Sequence, residues 1–481
     1  MSKIVENKVF LITYADSISK NLQQLSIEIM PLFGESVHGI HILPPFPSSG
    51  DRGFAPLTHL EIDPKQGTWG DINSLSTRYC VSLDLILNHI SKESVQFQDY
   101  LKNGDNSKFA KYFIDIKRDF PSLLDKDSTW EVRRPRPTPP YLEFETGSGE
   151  NIEKKLIWCS FSTDTVRQQI DLNYETPEVM ELMNSYIVNM CKNGTRLIRL
   201  DAAPYIVKKV NTPCFFQPEC FEIVEKFAKL AGTFDCEILL EVHSDTIMQR
   251  NLAKKGYWVY DFALPYIALH AIFTNSYKNL IYWLKNCPRK QFTTLDTHDG
   301  IGAIDAVGLL SQTEIDFTTK KLFEMGGNAS MKASGKSSEN VDIYQINSTY
   351  YSALGRDNKK YVFSRVIQMF TPGIPMVYYT GLLAGENDLE LLEETKNGRD
   401  INRHYYTKEQ ILSDLNRPVV KELLKLLEFR NENSDAFDGE LSIIENETEN
   451  VLTLVWENQN FNKKAIATLN FNTFDYSFTA V

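Results

Sequence analysis

Short apolar runs rich in β-branched residues recur along the chain at 9–15, 37–44, 81–89, 195–202, 236–242, 257–264, 292–298 and 373–381. The fourth is bounded upstream by Asn193-Gly194 and downstream by Pro204, which fits a buried parallel strand better than a helix. Between the runs lie helix-like stretches such as 177–192 and 218–230, the second preceded by an Asn211-Thr212-Pro213 turn. Alternating strand and helix predicts a parallel sheet, and eight such units predict an α/β fold closed as a (β/α)8 TIM barrel rather than an open sheet. No G-x-G-x-x-G follows the first strand, which counts against a dinucleotide fold.

Two spacings depart from a plain barrel. About a hundred residues separate the third run from the fourth, where a βα unit needs roughly thirty to forty. The excess predicts an inserted subdomain after strand 3, over 90–157. A second excess, 301–355, is rich in Gly, Ser and Asn around 326–340 and reads as a loop-rich insertion after strand 7. Beyond residue 433 the helical pattern yields to alternating strands, predicting a small C-terminal β domain over 433–481. The barrel itself is then expected over 1–89, 158–300 and 356–432.

A length of 481 residues, 42% hydrophobic and 24% charged, is that of a folded globular chain with a large core. The net charge of −12 argues against a nucleic-acid or anionic-membrane surface. Basic residues cluster only at Arg133-Arg134-Pro135-Arg136, enough for one small anion. Seven cysteines without C-x-x-C spacing indicate neither a disulfide framework nor a zinc site. With no apolar signal core and no run long enough to span a bilayer, a reducing, cytoplasmic setting is expected. Triplets such as Asn347-Ser348-Thr349 are then not expected to be glycosylated.

In a barrel the C-terminal strand ends share one face. Here those ends read Asn88-His89, Arg199-x-Asp201, Glu241-x-His243 and Asp296-x-His298-Asp299, so the unusual polarity gathers on one rim. Taken alone, Arg199 and Asp201 could be a buried ion pair, but the recurrence along the chain favours chemistry. Three carboxylates, Asp201, Glu241 and Asp299, beside His89 and His298 suggest glycosidic chemistry: one attacks, one donates a proton, and negative charge steadies an oxocarbenium-like transition state. A metal site is the rival, although no H-x-H or H-E-x-x-H spacing sets two ligands on one short element.

The set Leu87-Asn88-His89, Arg199-Leu200-Asp201-Ala202, Glu241-Val242-His243 and Asp296-Thr297-His298-Asp299-Gly300 resembles the ordered signature regions of the α-amylase superfamily, glycoside hydrolase family thirteen. The narrower resemblance is to its sucrose phosphorylase branch. It rests on Tyr14-Ala15-Asp16-Ser17, on 44–54 with Asp51-Arg52-Gly53-Phe54, on 295–302, on 342–351 and on 398–404.

The resemblance implies that Asp201 is the nucleophile forming a β-glucosyl-enzyme, Glu241 the general acid/base and Asp299 the transition-state stabiliser. It implies that Asp51, His89, Arg199, His298 and Arg399 hold the glucosyl hydroxyls, with Phe54 and Phe161 as apolar walls. Taken alone, these two could be core aromatics, His89 a hydrogen-bonded core histidine and Asp51-Arg52 an exposed turn pair. The implied reaction converts sucrose and phosphate to α-glucose 1-phosphate and fructose.

A phosphorylase must let phosphate outcompete water, and an arginine fork suits a dianion. Arg136 matches the family's phosphate-binding arginine and Tyr344 a further hydroxyl donor, while Asp342 and Gln345 match residues that contact the fructosyl acceptor. Arg133 stands where an uncharged residue such as tyrosine is common, which would favour fructose 6-phosphate; Tyr344, in place of histidine, favours plain sucrose. Sucrose 6'-phosphate, glucosylglycerol and glucosylglycerate phosphorylases share the glucosyl site. A sucrose hydrolase or transglucosidase and a silent sugar-binding protein are the remaining readings. Calcium sites in α-amylases draw partly on the position of Asn88, but the phosphorylase branch generally lacks them. No metal or organic cofactor is expected, and the partners are small-molecule substrates of a monomer or homodimer.

Overall fold

The structure is a computed structural model that describes residues 4–124, 132–133, 139–149, 152–162, 167–244, 246–333 and 341–481, without the side chains of 330–333 and 341–344. Eight strands, all parallel, close into a barrel: β1 (Phe10–Thr13), β2 (Gly39–Ile42), β3 (Cys80–Ile86), β4 (Thr195–Asp201), β5 (Glu237–Leu240), β6 (Trp258–Asp261), β7 (Gln291–Thr293) and β8 (Ile374–Tyr378). Each pairs with its neighbour in sequence, and β8 closes on β1. The eight apolar runs are these strands, each buried on both faces as a helix-covered parallel sheet requires.

Amphipathic helices cover the outside, among them Pro177–Lys192 and Pro218–Gly232, both with proline in the first turn. Their apolar stripes pack on the strands and merge into one large core. Among the described residues, no helix is long and apolar enough to cross a membrane.

The segment after β3 opens with His89–Ser91, paired antiparallel with Gln169–Asp171, and carries a hairpin of Tyr141–Thr146 with Glu153–Trp158. Ile114, Ile116, Leu123 and Trp158 give it a small core of its own. The long segment after β7 is more regular than its Gly, Ser and Asn content predicts. It holds the helix Gln312–Glu324, opened by a capping box at Ser311, and a three-stranded sheet. After the last barrel helix, β9 (Glu440–Asn446), β10 (Val451–Asn458), β11 (Lys463–Asn470) and β12 (Tyr476–Ala480) form an antiparallel meander. Its Trp456 indole donates to Phe370 O at 2.9 Å, docking the sheet on a barrel helix.

Candidate active site

The side-chain period of two in β4 sends Arg199 and Asp201 to the same side, into the barrel mouth. Register sets Arg199 beside Asp84 of β3 and Asp201 beside Ile86. The Arg199 guanidinium, 2% exposed, ion-pairs with Asp84 and reaches Asp201 Oδ1 at 3.1 Å and Glu241 Oε1 at 2.8 Å. Asp84 in turn meets His41 Nε2 at 2.8 Å, and His41 Nδ1 lies 3.2 Å from the Tyr260 hydroxyl. Four strands thus contribute to a polar floor below the rim. Burial alone would raise Asp84, but Arg199 and His41 hold it down at about 2.

Ala202, directly after β4, adopts a left-handed backbone at φ 52°, and its N–H donates to Glu241 Oε2 at 3.2 Å. That turn ties Glu241, one residue past β5, to the end of β4. Asp201 and Glu241 thus converge on the one Arg199 guanidinium, close enough for the charge of each to act on the other. Burial first, and then the charge of Glu241, push the Asp201 carboxyl well above the ordinary range. Glu241, though equally buried, is drawn below its ordinary value by Arg199 and His243.

Asp299 ends a loop after β7 that is fixed from below. Asp296 ion-pairs with Arg365 and accepts from Tyr378 N at 3.3 Å. Asn402 donates to Thr297 O at 2.8 Å and Arg403 Nε to His298 O at 3.1 Å. Asp299 Oδ1 then faces Arg399 Nη1 at 2.9 Å and Arg403 Nη2 at 4.0 Å. Burial opposes its charge, but Arg399 and His298 outweigh it and hold the carboxyl well below the ordinary range.

These groups line a cavity of ≈ 370 Å³. Asp51, His89, His298 and Arg399 stand around it with Phe54 and Phe161 as walls, and Arg199 lies beneath. The Phe54 ring stacks on His298 at 4.8 Å, and Phe161 packs on His89 at 5.2 Å. Burial lowers both imidazoles, His298 to about 4, so they meet a ligand as neutral hydrogen-bonding groups. Gln345 is buried beside the cavity, its Nε2 3.5 Å from His243 Nε2 and its Oε1 accepting from Gly300 N at 3.3 Å. Arg136 lies outside the described residues, as do the side chains of Asp342 and Tyr344.

Several contributors had no assignment from sequence. His243 sits between Glu241 and Asp305, with Nδ1 2.9 Å from Asp305 Oδ2 and its ring stacked on Phe262 at 4.0 Å. Gln169 donates to Phe54 O at 3.0 Å, and Arg403 is fully buried below Asp51 and Asp299. Arg403 stands in the 398–404 run that carried the resemblance, and His243 in a strand-end motif; Asp305 and Gln169 had no such signal. Arg133 lies 3.7 Å over the ring of Phe215, which lines the cavity, and donates to His243 O at 3.3 Å.

Ligand atoms of Glu241, His243 and Asp299 lie within 4.8 Å of one another, a spacing that could hold a cation. Each of the two carboxylates already faces a guanidinium, Arg199 or Arg399, which disfavours that use. At the position of Asn88, Lys208 Nζ meets Asn88 Oδ1, Tyr205 O and Asp171 Oδ2, an internal cation in a buried oxygen cage.

The profile of the α-amylase catalytic domain matches residues 34–299, and the matched span runs from β2 through the strand ends just described. The chain belongs to the α-amylase family. Among curated members, the sucrose phosphorylase of Streptococcus mutans is 44% identical over 98% of this chain and 97% of its own length. The glucosylglycerol phosphorylase of Marinobacter adhaerens is 38% identical, over 99% and 98%. A solved structure, the sucrose 6F-phosphate phosphorylase of Thermoanaerobacter thermosaccharolyticum, superposes with a TM-score of 0.93 at 40% identity, covering 99% of this chain and 96% of that one.

Proposed function

We propose that this chain is a retaining sucrose phosphorylase, converting sucrose and phosphate to α-D-glucose 1-phosphate and D-fructose by double displacement. The carrying observation is the convergence of the Asp201 and Glu241 carboxyls on one guanidinium, at 3.1 and 2.8 Å from Arg199, in one pocket. Inverting enzymes keep their carboxyls about 6.5–9.5 Å apart to admit a water and retaining enzymes about 5–5.5 Å, and two carboxyls gripped by one guanidinium fit the shorter spacing. Near-full-length similarity to phosphorylases supports phosphate, rather than water, as the second nucleophile.

Sucrose enters with its glucosyl ring among Asp51, His89, His298 and Arg399, between the Phe54 and Phe161 rings. For the first displacement Glu241 holds the proton and Asp201 is ionised for attack on the anomeric carbon. Glu241 protonates the departing fructosyl oxygen, and a β-glucosyl ester forms on Asp201. Asp299, kept ionised by Arg399, faces the positive charge that develops at the ring. Phosphate then attacks from the vacated side, and Glu241 takes its proton.

The acceptor side belongs to the two insertions, 90–157 with Arg136 and 301–355 with Asp342, Tyr344 and Gln345, while the barrel segments hold the glucosyl unit. The test is product analysis: incubating the enzyme with sucrose in phosphate buffer should give glucose 1-phosphate as the main product. Mainly free glucose would overturn the proposal in favour of a hydrolase.

One observation favours a second acceptor. Arg133, stacked on Phe215 at the pocket mouth, is a cation available to an acceptor phosphate. A panel of fructose, fructose 6-phosphate, glycerol and glycerate with glucose 1-phosphate decides it: fructose should win, and preference for fructose 6-phosphate would shift the assignment to sucrose 6'-phosphate.

A further inference from the structure

Asp51 and Arg52 both adopt left-handed backbone conformations, at φ 48° and 49°. Two successive non-glycine residues in this sparsely populated region persist only where their surroundings over-determine them. The turn they form supplies two surfaces of the cavity. The Asp51 carboxylate points inward, accepting from Gln169 Nε2 at 3.5 Å and standing 4.0 Å from Arg403 Nη1. Three residues on, Phe54 stacks on His298 and accepts from His89 Nε2 at 2.9 Å through its carbonyl.

The outer side of the turn is held by Arg52. Its Nη2 donates to Asp16 Oδ1 at 2.6 Å and to Ser17 Oγ at 3.3 Å, both just past the end of β1. Its guanidinium lies between two rings, 4.0 Å over Tyr14 and 4.5 Å over Tyr405. Tyr14 in turn meets His298 edge-on at 6.2 Å. A planar cation that stacks and donates sideways at once is a task lysine cannot reproduce.

We propose that Arg52 is a positioning residue for the glucosyl subsite: clamped between Tyr14, Tyr405 and Asp16, it keeps the strained turn closed so that Asp51 and Phe54 face the sugar. The inference rests on the pocket being a glucosyl site, as proposed above. It explains why a charged residue stands where glycine would be less strained.

The test is a double-mutant cycle on kcat/KM for the glucosyl donor, with KM for phosphate as the internal control. Arg52→Met should lower donor kcat/KM by roughly 10- to 100-fold, as expected for a small misplacement of a binding group. KM for phosphate should change less than about twofold. Arg52→Lys should fall between wild type and Arg52→Met. In an Asp51→Ala background, Arg52→Met should cost less than about twofold more, because the group it positions is gone.

Equal losses in the two backgrounds would overturn the inference, and so would a parallel fall in donor and phosphate parameters that tracks a drop in Tm. Arg52→Gly, which relieves the backbone but removes the clamp, should behave like Arg52→Met; wild-type kinetics from it would also overturn the inference. Absence of phosphorolysis in the wild type would instead strike the reading of the site, leaving the cycle to be run with whatever glucosyl donor the enzyme consumes.

Discussion

Lys208 Nζ lies 2.5 Å from Asn88 Oδ1, at the position from which α-amylase calcium sites partly draw. The same ammonium is 2.8 Å from Asp171 Oδ2, a fully buried carboxylate that also accepts from Ser160 N at 2.9 Å. A divalent ion would have to displace this side chain to reach the same oxygens. Chelation with EDTA should leave the thermal midpoint and the activity unchanged. Lys208→Met should cost about 3–5 kcal/mol in urea unfolding, since it strands a buried carboxylate.

Asp201→Asn should abolish turnover, by at least about 10³-fold, without loss of stability. Burial and the Glu241 charge both oppose an ionised Asp201 in the folded chain, so a neutral amide relieves a cost. A thermal midpoint at or above that of wild type, together with the lost rate, is the expected result.

Glu241→Gln should slow sucrose by about 10²- to 10⁴-fold, the usual range for a lost general acid. α-Glucosyl fluoride, whose leaving group needs no proton, should retain most of its glucosylation rate. Stopped-flow measurement of fluoride release separates the two, and equal losses on both donors would remove Glu241 from the acid role.

Arg136→Ala should raise KM for phosphate by about tenfold or more and increase the share of free glucose formed from sucrose, because a dianion loses a bidentate partner. Unchanged phosphate dependence would take the second half-reaction away from that residue.

Asp84 gives a pH signature. Its carboxyl sits at about 2 in the folded chain against an ordinary value of 3.8, so the unfolded chain takes up the proton first as pH falls. The stability from its pairing with Arg199 is fully present above about pH 4 and is lost as pH falls through about 2. The shift corresponds to about 2 kcal/mol. Urea unfolding should find Asp84→Asn less stable than wild type at pH 6, with the gap narrowing by about that amount toward pH 2.

The barrel was legible because buried parallel strands are continuous apolar runs, and the carboxylates because they close those runs: Asp201, Glu241 and Asp299 interrupt apolar stretches where charge needs a reason. Side chains that steady the site from loops left no such trace. Arg52, Asp305 and Lys208 obey no periodicity, and their partners are remote in sequence: Lys208 reaches back 120 residues to Asn88 and Asp305 62 residues to His243. The helix Gln312–Glu324 was hidden by the turn-forming residues after it, although its Ser311 and Glu314 form a recognisable cap.

The aromatic file that runs from His89 through Phe161 and Tyr205 to Phe215, with Arg133 laid over its outer end, spans the route from barrel to mouth. Its innermost member, His89, follows the end of β3, whereas Arg133 comes from the inserted stretch of chain. A change at that outermost guanidinium can therefore alter the chemistry of the entrance without touching the carboxylates deep in the barrel.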